Sequence, residues 1–258
     1  MILFAPLRTP RLSVQLRELS PKVIIGLLAM PANRIEAGIT EFLKHAASKA
    51  EGTTPRHVTD PRMMTVQERN RLVAHYIGHV SQDGGDFVVG EARLSDYTLL
   101  KDDWNGQPHS LTLDGRPARV WPLLGWQAEA LERICESSGE WQSGAAACQI
   151  MMGSEAHPDI ASLGDVQTND WVRDRLEKLL ALPESEFLHR LDVWSGADAA
   201  LSHYYNISFD NDGVIVMPTD EALKRAGAKG VAPGRFPVSA AINEVTHQLF
   251  GRSVQPSR

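Results

Sequence analysis

The hydrophobic and polar positions change period several times along this chain, and each change marks an element. Leu12, Val14 and Leu16 alternate with Ser13, Gln15 and Arg17, the period-two pattern of a strand with one buried face. Residues 2 to 5 are placed to pair with it across a Thr9-Pro10 turn. Ser20-Pro21 opens a short apolar helix over Lys22 to Met30, because Ser can cap and Pro suits the first helical position. After Pro31, the positions Ile35, Ile39, Phe42, Leu43 and Ala46 predict a second amphipathic helix between Ala32 and Ala50, closed by the polar segment Glu51 to Pro55.

The best-specified helix start is Thr65-Val66-Gln67-Glu68, a capping box in which each side chain can satisfy a backbone donor at the helix end. Leu72, Val73, Tyr76, Ile77 and Val80 form its apolar stripe, while Glu68, Arg71, His75 and His79 fall outside it. Gly84-Gly85 stops the helix, and Phe87-Val88-Val89 reads as a short strand before a polar loop around Ser95-Asp96-Tyr97. Asp114-Gly115 between two β-rich runs predicts a hairpin. Helices follow over Pro122 to Cys135 and from Gly139 to near Gly153.

Residues 154 to 167 carry turn formers without periodicity and read as a linker between a 1–153 lobe and a 168–258 lobe. In the second lobe, Val172, Leu176, Leu179 and Leu180 mark a helix capped by Thr168 or Asn169, and Pro183 opens another through Trp194. Asp210-Asn211-Asp212-Gly213 is a hairpin tip, followed by an irregular run from Gly227 to Pro237 and a last helix through Val238, Ile242, Val245 and Leu249. The expected class is α+β: predominantly helical with small antiparallel hairpins, in two lobes.

Composition narrows the functional classes. At 43% hydrophobic and 22% charged residues the chain is an ordinary globular one, and a net charge of −6 without a basic stripe argues against nucleic acid as a partner. The longest apolar run, Val23 to Met30, is too short to span a membrane, and the first residues lack the pattern of a secretion signal. Two cysteines, Cys135 and Cys148, make no disulfide framework and are expected as reduced core thiols.

Candidate chemistry is sparse. His75 and His79 have the i, i+4 spacing that can bring two imidazoles to one metal, but Tyr76 stands where the zinc-hydrolase helix carries its glutamate. Asp210, Asp212 and Glu221 match three positions of a calcium loop, yet Val214 and Ile215 occupy positions that demand a ligand and a Gly. Neither cysteine lies in a nucleophile motif, and there is no Gly-x-Ser-x-Gly elbow or phosphate loop. The six tryptophans suit core packing, with interface anchoring as the alternative. No catalytic, cofactor-binding or metal residue is therefore assigned.

The strand Arg-Leu-Ser-Val-Gln-Leu-Arg-Glu-Leu-Ser from Arg11 to Ser20, leading into a short helix and followed by the Thr65-Val66-Gln67-Glu68-Arg69 helix, resembles accessory proteins of tailed-phage tails and baseplates. The resemblance covers about the first 100 residues. It implies a non-catalytic structural or interaction role among other tail or baseplate proteins, in a multimeric assembly, first in the host cytoplasm and then in the virion. A tail-assembly chaperone absent from the finished particle is one alternative. A small metal-dependent enzyme using His75 and His79 is the other.

Overall fold

The alternation at 12 to 16 becomes the middle strand of a three-stranded antiparallel sheet in the computed structural model, which describes residues 4–51, 60–80, 85–89, 91–99, 106–236, 238 and 242. Strand β1 (Leu7–Arg8) pairs with β2 (Ser13–Leu16), Leu7 opposite Val14; of the expected partners at residues 2 to 5, only Phe4 and Ala5 are among the described residues, and neither lies in the strand. The Thr9 N–H donates to the Leu12 carbonyl at 2.8 Å and closes the turn. Helix α1 (Pro21–Leu28) begins at the proline, and α2 (Ile35–Ala46) follows. The second helix stops four residues short of Ala50 because strand β3 (Ala47–Glu51) leaves it to pair with β2, with Leu16 opposite Ala47. Sheet hydrogen bonds here override helix propensity.

A 3-10 turn, Pro61–Met63, leads to α3 (Val66–Val80). The capping box forms as expected: the Thr65 N–H donates to Glu68 Oε2 at 2.9 Å, and the Glu68 N–H donates to Thr65 Oγ1 at 3.0 Å. Glu68 is not on the solvent side, however. It is fully buried and also accepts the Thr9 hydroxyl at 3.0 Å. A small hairpin of β4 (Val88–Val89) and β5 (Ala92–Arg93) then carries Phe87 and Val89 into the core. Of the Gly84-Gly85 stop, only Gly85 is among the described residues.

The Asp114-Gly115 hairpin is present as β6 (His109–Leu113) and β7 (Arg116–Val120), with φ of 52° at Asp114 and 72° at Gly115, the positive values a tight hairpin turn needs. Helix α4 (Gly125–Ile134) and α5 (Ser138–Gln149) follow, the latter opened by a Ser137/Glu140 capping box. Helix α5 ends before Gly153 because β8 (Ile150–Met152) turns out to pair with β7. Helix α6 (Asp165–Leu180) starts earlier than Thr168: Gly164 caps it, and its N–H donates to Gln167 Oε1 at 3.1 Å. Helix α7 (Glu184–Leu201) and the hairpin β9 (Asn206–Asp210) and β10 (Gly213–Met217) match the expected pattern. Helix α8 (Asp220–Ala226), capped by Thr219, lies where no helix is expected. Of the last expected helix only Val238 and Ile242 are described, and both are buried.

The chain is α+β, mainly helical, with antiparallel sheets of two or three strands. Its two cores do not divide at 154–167. The first joins Leu12, Val14, Phe42, Leu72 and Tyr76 to Tyr205, Val216 and Phe236. The second joins Leu113, Val120, Trp126 and Trp141 to Val172, Leu179 and Trp194. Helix α6 packs on α4 and α5, and the chain returns to the first core after α7. The segment expected to be a linker is anchored by Ile160, buried in the second core, and by His157, whose ring lies 5.7 Å from Trp121 and 6.3 Å from Trp126.

A polar seam joins the two cores. Arg69 of α3 is fully buried; its Nη2 donates to Thr40 Oγ1 at 3.0 Å and lies 3.4 Å from Glu36 Oε2, both on α2. The Thr40 hydroxyl in turn donates to Glu129 of α4. Glu129 stands 3.7 Å from Arg62 and 3.4 Å from Arg133, and both arginines reach Asp165 at the start of α6. Glu132 caps α2, accepting the Glu36 N–H at 2.7 Å. Gly125 makes room for this arrangement: a Cβ there would sit 2.0 Å from Arg69 Nη1.

Candidate functional site: the outward face of the first helix

Helix α1 is apolar on all sides except at Lys22. Ile24 and Leu27 point into the first core, as the sequence pattern requires of one face. One position further round, Ile25 is 55% exposed and Leu28 40% exposed. Pro21, Ile25 and Leu28 share an i, i+4, i+7 row, and exposed Lys22, Gly26 and Ala29 form the adjacent row. An apolar surface helix normally covers one stripe and wets the other. Here both are apolar, the arrangement of a helix covered from both sides. The uninterrupted run Val23 to Met30 was the signal for this in the sequence, where its length speaks only to membrane spanning.

His75 and His79 are brought together, their ring centroids 4.3 Å apart on the half-buried to exposed side of α3. Each ring already has a backbone partner: His75 Nε2 lies 2.8 Å from the Ala5 carbonyl, and His79 Nδ1 lies 2.8 Å from the His75 carbonyl. Burial holds the His75 pKa below its ordinary value. Among the described residues no third His, Cys, Asp or Glu completes a metal set. Asp210 is likewise committed to its hairpin, accepting the Asp212 N–H at 2.9 Å and pairing with Arg235, while Glu221 lies on α8.

The thiols of Cys135 and Cys148 are pushed up to about 12 by burial, which leaves neither as a nucleophile at neutral pH. Trp126, Trp141 and Trp194 are core residues, Trp121 and Trp171 are half-buried, and Trp104 lies outside the described residues. A cleft of about 740 Å³ opens beside Arg71, Asp86, Ser95, Thr98 and Glu221. Its polar groups are largely spent on the fold: Asp86 accepts from the Ser95 N–H at 2.8 Å and hydroxyl at 3.1 Å, the Thr98 hydroxyl donates to the Leu94 carbonyl, and the Arg71 guanidinium lies over the Tyr204 ring.

The strongest electrostatic perturbations sit inside the molecule rather than at a cleft. Burial raises the Glu36 pKa to about 7 despite the neighbouring Arg69, with Glu132 and Glu129 adding to the rise. Burial lowers the His157 pKa to about 4. Neither group had a signal in the sequence, because burial of a charge is set by tertiary packing. Comparison of the chain with protein-family models, curated proteins and solved structures returns no match.

Proposed function

We propose that the protein is a structural component of a tailed-phage tail or baseplate that works through protein–protein contacts, meeting other tail or baseplate proteins in the host cytoplasm and remaining in the virion. The observation that carries this reading is the uncovered apolar face of α1. That helix follows the Arg11 to Ser20 stretch, within the roughly 100 residues over which the chain resembles tail and baseplate accessory proteins. Among the described residues no helix is long and apolar enough to cross a membrane, so the exposed face is not part of a helical span.

Mass spectrometry of intact purified particles tests the proposal. A constant copy number per particle is the expected result. A protein required for assembly yet missing from finished particles would instead make it a tail-assembly chaperone.

A further inference from the structure

Between the buried Met151 and Ile160 the chain crosses the surface, and one ring on it reaches the core. Gly153, Ser154, Glu155, Ala156 and Asp159 are exposed, while His157 and Pro158 are half-buried. The His157 imidazole sits among tryptophans from three elements: Trp121 just after β7, Trp126 of α4 and Trp171 of α6, at 5.7, 6.3 and 6.4 Å and at angles of 62° to 85°. The rest of the stretch is held from outside. The Gly153 N–H donates to the Pro117 carbonyl at 2.8 Å, Arg119 reaches the Gly153 and Glu155 carbonyls at 3.3 Å, and Arg175 lies 3.3 Å from Glu155 Oε2. Water competes for such exposed contacts, so the single ring at position 157 carries most of the inward hold.

That ring suits its place only while neutral. Its Nε2 is buried and has no hydrogen-bond partner among the described residues, so a proton placed there would have no acceptor. The charges that bear on it, Arg175 of α6 and Arg11 from the turn between β1 and β2, are both positive; the Cys148 backbone is the contact that favours a charged ring. The Cys148 thiol itself, pushed up to about 12, supplies no counter-charge. On the stretch, the Glu155 carboxylate is taken by Arg175 and the Met152 N–H, and that of Asp159 by the Ala161 N–H. Burial and the two arginines together hold the His157 pKa down to about 4. Moved into water, the ring regains its ordinary 6.5.

We propose that residues 153 to 159 form a strap latched by His157, which opens as a unit when that ring takes a proton, ahead of global unfolding. Opening uncovers the sides of Trp121, Trp126 and Trp171 that the imidazole covers. It also withdraws Glu155 from the wall of a pocket of about 220 Å³ that Met152, Trp171 and Leu179 also line. The device is independent of the protein's place in a tail or baseplate.

Hydrogen exchange on the full chain, corrected for the intrinsic pH dependence of amide exchange, tests this. The hydrogen-bonded Gly153 and Glu155 amides report the strap, and the α6 amides report the core beneath it. A ring pKa of about 4 closed and 6.5 open makes opening about twentyfold more frequent at pH 5 than at pH 7. Strap protection should fall by that factor while α6 stays protected. His157→Phe and His157→Gln both remove the titrating ring, and in whichever of them folds the strap's protection becomes independent of pH over this range. Glu155→Gln and Asp159→Asn remove the strap's other titrating groups and keep the fall.

Strap protection that is equal at pH 5 and pH 7 in the wild type overturns the proposal, as does loss of α6 protection in step with the strap. A fall that persists in the His157 variants, or that disappears in Glu155→Gln or Asp159→Asn, assigns the pH response to another group and has the same consequence. Titration of the His157 ring by NMR gives a reading that needs no variant: a midpoint at 6.5 in the folded protein would mean that the closed strap tolerates the proton and that His157 is no latch.

Discussion

At Glu68 one buried carboxylate closes the capping box of α3 and also takes the Thr9 hydroxyl from the β1–β2 turn, with Arg11 at 4.0 Å. Its two box partners therefore differ in cost. Thr65→Ala removes one N-cap and should lower stability by about 1 kcal/mol. Glu68→Ala leaves the Thr65 N–H and the Thr9 hydroxyl without their acceptor inside the core and should cost about 3 kcal/mol. Urea midpoints measure both, and equal losses would show that the Thr9 contact contributes nothing. The box itself was legible in the sequence because its logic is local; the burial of Glu68 was not, since a turn 59 residues away in the chain provides it. Arg69 behaves similarly. Gly125→Ala places a methyl on its guanidinium, and because that side chain is locked between Glu36, Thr40 and Glu129 it cannot swing aside. A loss of several kcal/mol, on the order of a broken buried pair, is expected in thermal or chemical unfolding.

Elements built by local signals were readable, and those built by distant partners were not. The Asp-Gly turn of the β6–β7 hairpin and Pro21 at the start of α1 specify themselves. Strands β3 and β8 each continue a helix without a break, and only the neighbouring strand tells the chain to leave the helix there. Helix α8 escaped because its seven residues bury Ala222 alone, too little for a period to show, although Thr219 ahead of an acidic turn is a start signal. Between elements, Gln67 does for the 203–205 segment what a cap does for a helix. Its Oε1 accepts the N–H groups of His203, Tyr204 and Tyr205 at 3.0 to 3.3 Å, tying α3 to the end of α7. Gln67→Leu should thus cost about 2 kcal/mol and, by hydrogen-exchange mass spectrometry, deprotect residues 202 to 206 before the rest of either core. Uniform deprotection across both cores would show that this joint is not a separate unit.

For the whole molecule, the expected two lobes give way to two cores, the first built mainly from residues before 98 and after 204 and the second mainly from residues 113 to 201. Loop-like composition at 154–167 suggested a boundary, but Ile160 and His157 fix that stretch to the second core. Two buried groups with folded pKa values of about 7 and about 4, Glu36 in the seam and His157 in the second core, have opposite effects on stability. Glu36 has a folded pKa of about 7 against an ordinary 4.5, so the folded state keeps a proton that the unfolded chain releases. Its contribution is full below pH 4.5 and is lost as pH rises through 7. His157 has a folded pKa of about 4 against 6.5, so the unfolded chain takes a proton that the folded state refuses. Its contribution is full above pH 6.5 and is lost as pH falls toward 4. Each is worth at most about 3 kcal/mol, and between pH 4.5 and 6.5 the slopes cancel. Relative to the wild type, Glu36→Gln should consequently gain stability as pH rises through that window and His157→Gln should lose it. Urea titrations of the three proteins at pH 5, 6 and 7 read this directly; parallel pH profiles would mean that neither buried group keeps its shifted charge state in the folded protein.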